Sequence, residues 1–70
     1  MTPSDARMKC AQILDWAYAN DWARENFDPS TIRSIHDQAE LAEYDWPTLD
    51  QASAIENVYR LYCRAKSWGK

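Results

Sequence analysis

The chain has 70 residues, one Gly, three Pro, four Trp, four Tyr and one Phe, with 46% hydrophobic residues and a formal charge of −3. That is too apolar and aromatic for a disordered chain, too poor in turn-forming residues for a β-sandwich, and short enough for only one domain, spanning 1–70. A pI of about 4.9 argues against a general binder of nucleic acid or anionic membrane.

The start, "MTPSDARMKCAQ", is polar, and no run of about 20 apolar residues follows, so a cytoplasmic location without membrane contact is the expectation. Cys10 and Cys63 form no CxxC pair. In an up-down-up bundle they fall at opposite ends, so both read as reduced, buried thiols.

Three helix starts punctuate the chain. "TPSD" sets Thr2 at an N-cap, Pro3 at the first helical position and Asp5 in the first turn. "FDPST" repeats the device with Asp28 and Pro29, and Thr48 with Gln51 matches a capping box. These predict helices over roughly 3–25, 29–44 and 49–67, with "YANDW" as the place where the first could divide. The fold class is therefore all-α, a compact three-helix bundle.

At 100° per residue, Ala6, Cys10, Ile13, Leu14, Ala17 and Tyr18 gather on the core face of the first helix, with Trp22 at its margin. Trp16 lies off that face, with Met8, Ala19 and Ala23. In the second helix Ile32, Ile35, Ala39 and Ala42 make a narrow stripe, and Leu41 points away from it. The third turns Ala52, Ile55, Val58, Tyr59 and Tyr62 to the core, with Cys63 at the edge. A further sector holds Ala54, Leu61, Ala65 and Trp68, leaving Ser53, Glu56, Asn57, Arg60 and Arg64 solvated. This apolar arc is wider than two helices on one side would cover. A second copy of the chain and a foreign protein are both candidates to cover it, the first making the bundle a homodimer.

Catalytic signals are weak. His36, the only histidine, stands at helical spacing from Glu40 and Glu43, but a surface histidine on a polar helix is the favoured explanation. No nucleophile motif, phosphate-cradling loop or metal-ligand spacing is present. The expectation is a non-enzyme without cofactor or metal.

Two charge segments oppose each other. Between Ser34 and Tyr59 there is no Lys or Arg, while Asp37, Glu40, Glu43, Asp45, Asp50 and Glu56 fall inside. Such a run is usually a solvated face, but it also suits docking on a basic surface. From Arg60 onward the chain carries Arg60, Arg64, Lys66 and Lys70 with no acid, among Tyr62 and Trp68, which admits a helix-turn-helix regulator. The acidic turn at "TLDQ" and the helix-dipole role of late cations count against direct nucleic-acid binding.

The aromatic and aliphatic side chains left off the core stripes, Trp16, Leu41, Leu61 and Trp68, with Trp46 before the third helix, are the other candidates for contact, since large rings bury much area at small entropy cost. The partner-binding set is thus Trp16, Asp37, Glu40, Leu41, Glu43, Asp45, Leu61 and Trp68.

The run from "PTLDQ" through "SAIENVYRLY" resembles the closing helix of small phage-encoded helical proteins, at Thr48, Gln51, Ala54, Ile55, Val58 and Arg60. The match covers about a fifth of the chain, and the acidic approach "AELAEYDW" and the extra tryptophans depart from it. The resemblance implies an inhibitor of anti-CRISPR type that occupies a host protein complex, at a nucleic-acid-binding or subunit surface. The alternatives are the small regulator and a structural homodimer joined through Leu61.

Overall fold

The computed structural model describes residues 1–41 and 45–67, with the Leu41 side chain left out. Among the described residues the elements are α1 (Pro3–Ala19), α2 (Asp21–Asn26), α3 (Ser30–Leu41) and α4 (Leu49–Lys66), with no strand. The all-α class holds, but there are four helices rather than three.

The extra helix comes from a break at Asn20. Its extended backbone (φ −89°, ψ 131°) ends α1, with its N–H donating to the Trp16 carbonyl. Its side-chain oxygen then accepts from the Ala23 N–H at 3.1 Å, so the same residue caps α2. A short polar side chain that bonds its own downstream backbone competes with helix continuation, which is why the chain turns here.

The other starts fall where the capping residues place them. Thr2 accepts from Asp5 N–H at 3.1 Å with Pro3 following. Asp28 accepts from Ser30 N–H at 2.9 Å, and this bond holds the carboxyl below its ordinary pKa. Thr48 and Gln51 exchange both bonds of a capping box, at 3.2 and 2.9 Å. The 42–44 end expected for the second helix lies outside the described residues.

α1 is the central element. It packs against α2, α3 and α4, whereas α3 and α4 meet over a smaller area. Ile13, Ile32 and Ile55, one from each long helix, are fully buried and belong to a single core cluster with Ala6, Cys10 and Ala17.

Several positions differ from the sequence expectation. Trp16, expected off the core, is only 8% exposed. The break at Asn20 brings Trp22 and Phe27 over it, at ring centroid distances of 6.1 and 5.5 Å, and α4 adds Tyr62 at 5.7 Å. Ala23 is buried by the same fold-back. Tyr18, expected inside, is 52% exposed near the end of α1, with its hydroxyl accepting from the Arg33 guanidinium at 3.4 Å. Trp46 is buried, its indole N–H donating to the Ile35 carbonyl at 3.0 Å. Cys63 is exposed rather than buried, while Cys10 matches expectation.

The broad arc of α4 is largely covered within the monomer. Tyr62 and Ala65 are buried, and Ala54, Val58, Tyr59 and Leu61 pack partly against the core. The surplus that suggested a dimer through Leu61 is thereby much reduced; Trp68 lies outside the described residues.

Truncating a fully buried isoleucine removes its transfer energy and leaves a cavity. Ile13→Ala is expected to cost about 2–5 kcal/mol, a large part of the stability of so small a domain. Thr48→Ala, which removes one helix cap, is expected to cost about 1 kcal/mol. Urea denaturation followed by far-UV circular dichroism measures both.

Candidate functional site

The acidic surface starts on α3. Its buried side carries Ile32 and Ile35, which leaves Asp37 and Glu40 exposed. Asp45 and Asp50 are exposed in the following segment and the first turn of α4. Two bonds tie that segment to α3: the Trp46 indole to the Ile35 carbonyl, and the Gln51 amide to Gln38 Oε1 at 2.6 Å. Gln51 thus does two jobs, accepting from the Thr48 N–H with one end of its amide and clamping α3 with the other.

None of Asp37, Glu40, Asp45 or Asp50 meets a lysine or arginine in an ion pair among the described residues. His36 Nδ1 stands 3.9 Å from Asp37, a charge contact only when the imidazole is protonated. Glu56 is different. Read from the sequence as solvated, it is paired with Lys9 of α1 at 2.6 Å. The hydrogen bond to Lys9 holds the Glu56 carboxyl below its ordinary range, and the bond to Glu56 raises the Lys9 ammonium above its own.

Of the candidate contact residues, the structure exposes Asp37, Glu40 and Asp45, half-buries Leu61 and buries Trp16. Glu43, Trp68 and the side chain of Leu41 lie outside the described residues. Trp16 therefore acts as a core residue, and its contact role is withdrawn. The sequence reading missed Leu49, which is 90% exposed at the first position of α4, between Asp45 and Asp50. Its signal was available: a first-turn leucine beside a capping threonine falls on the same side of the helix as Ser53 and Arg60, away from Ile55.

A second feature lies at the C-terminal half of α4. Tyr59 donates to Gln12 Oε1 at 3.1 Å and is roofed by Lys9, whose Nζ is 5.1 Å from the ring centroid. Lys66 sits 5.2 Å over Tyr62. Between these lies an open cleft of about 320 Å³ lined by Gln12, Tyr59, Tyr62, Cys63, Lys66 and Ser67. An adjoining groove runs along Tyr59, Arg60, Cys63 and Arg64. No group of three or more His, Cys, Asp or Glu side chains among the described residues is arranged to hold a metal ion. No helix of the described residues is long and apolar enough to cross a membrane.

Compared with known proteins, the chain matches no family model, no curated protein and no solved structure.

The two thiols differ in environment, and their chemistry should differ with it. Burial pushes the Cys10 thiol up to about 11 from an ordinary 9.0, which disfavours the reactive thiolate, whereas Cys63 is open to solvent. Maleimide at neutral pH is expected to modify Cys63 promptly and Cys10 at least about a hundredfold more slowly, since Cys10 must await unfolding. Mass spectrometry of the time course checks this. The raised folded pKa of Cys10 also means that its contribution to stability is intact below pH 9.0 and is lost as pH rises toward about 11. Cys10→Ala should flatten that part of the stability profile in urea denaturation.

Proposed function

We propose that this chain is a small non-enzymatic binding protein that inhibits or modulates a larger protein by occupying a basic surface of it, in the manner of phage-encoded inhibitors such as the anti-CRISPR proteins. The observation that carries this reading is the exposure of Asp37, Glu40, Asp45 and Asp50 without an ion pair to lysine or arginine among the described residues, on α3 and on the start of α4 that the Trp46 and Gln51 bonds tie to it. Charge carried on a pre-ordered backbone steers encounter and sets register without a large entropic cost on docking. A nucleic-acid-binding groove or subunit contact on the target supplies the complementary charge.

A second reading rests on Arg60, Arg64 and Lys66, all exposed along one helix beside two tyrosines. It makes the chain a nucleic-acid-binding regulator, and it predicts retention on heparin that weakens steeply with salt.

Affinity capture from a host-cell lysate, with and without nuclease and read by mass spectrometry, separates the two. A stoichiometric protein that survives nuclease supports occupancy; capture that disappears with nuclease supports the regulator. The double variant Asp37→Lys with Glu40→Lys is expected to keep its circular dichroism and to bind the captured protein with an on-rate lower by about tenfold at low salt. An unchanged on-rate would remove the steering role from α3.

A further inference from the structure

The exposed side of α4 has a pattern of its own. Leu49, Ser53, Glu56, Arg60 and Cys63 follow one another at steps of four, three, four and three residues and so line one side of the helix, a seam apolar at its two ends and polar between them. All but Glu56 are exposed, and Glu56 is drawn aside into its pair with Lys9. At one end of the seam stands a knob, the 90% exposed Leu49, with Asp50 beside it. At the other end lies a groove walled by Tyr59, Arg60, Cys63 and Arg64.

The knob cannot reach its own groove. Leu49 and Cys63 are separated by about 20 Å along a continuous helix, at 1.5 Å rise per residue. We propose that the occupant of the groove is Leu49 of a second copy of the chain, in an antiparallel α4–α4 pair about a twofold axis near Ile55 and Glu56. Turning one helix end over end about that axis carries Leu49 onto the groove and Asp50 opposite Arg60 of the second copy, twice over by symmetry. The acidic first turn of each α4 thus faces the basic last turns of the other, where a parallel pair would set like charge against like. Ser53, small and exposed, stands near the crossing and permits close approach of the two helices. This seam is separate from the Leu61 side, which the monomer already partly covers. It also leaves Asp37 and Glu40 of α3 free.

Sedimentation equilibrium of the full chain tests the pair. The wild type is expected to move from 8.2 kDa toward twice that mass as concentration rises to about 1 mM at low salt. Its dissociation constant should rise by about tenfold or more when salt shortens the screening length to a few Å. Leu49→Asp should be monomeric throughout, with unchanged circular dichroism because the side chain is exposed. Asp50→Arg and Arg60→Asp should each weaken association at least about tenfold, and the double swap Asp50→Arg with Arg60→Asp should restore it. A wild type that stays monomeric overturns the proposal and leaves the groove to a foreign partner. So does a dimer that survives Leu49→Asp, or a double swap that rescues nothing.

Discussion

The fold turns on covering Trp16. In a chain of 70 residues a single helix hairpin leaves the largest side chains only partly enclosed, and an indole left in water forfeits much of the burial that makes folding favourable. The break at Asn20 resolves this by folding six residues back, so that Trp22 and Phe27 close one side of the ring and Tyr62 the other. The enclosure has a cost: the Trp16 indole N–H is buried without a hydrogen-bond partner, an omission worth about 1–3 kcal/mol. The aromatic contacts around it offset part of that, each contributing about 0.5–1.5 kcal/mol beyond area. Trp22, at 39% exposure, is the lid, wet on one face and packed on the other.

The same economy governs α4. Its inner arc meets α1 and the aromatic cluster, so a helix that looks over-supplied with apolar residues on paper is mostly satisfied at home. What remains for contact is a different surface: one stranded leucine, a thiol and a row of charges whose sign reverses along the helix. Lone exposed leucines are ordinary on protein surfaces. Leu49 gains meaning only from its fixed relation to Asp50 on one side and to the Arg60–Arg64 groove two-thirds of a helix away.

Charge is distributed to match. Cross-helix pairing absorbs Glu56 through Lys9, and local pairing absorbs Asp21 through Arg24. Among the described residues Asp37, Glu40, Asp45 and Asp50 stay open on α3 and around the start of α4, and Asp5, Asp15, Glu25 and Asp28 are exposed elsewhere. The Trp46 and Gln51 bonds tie the start of α4 to α3, which brings Asp45 and Asp50 onto the same body as Asp37 and Glu40. The proposed binding surface and the proposed self-pairing seam meet at Asp50, and only Asp37 and Glu40 lie on a different helix from the seam.

What was legible in the sequence was local. Thr2, Asp28 and the Thr48–Gln51 box announced where helices begin because a cap is a contact over two or three residues. The fully buried Ile13, Ile32 and Ile55 followed from the period of the apolar positions, and the open acids Asp37 and Glu40 from the same period. Tertiary structure alone decided which edge residues are covered: Trp16 went in and Tyr18 stayed out, Trp46 found the Ile35 carbonyl, and Glu56 found Lys9. Periodicity assigns a residue to an angle on its own helix, but burial depends on what arrives from elsewhere in the chain. Trp16 met α2 only because Asn20 turned the backbone toward it, and Leu49 is bare because none of the described segments covers it.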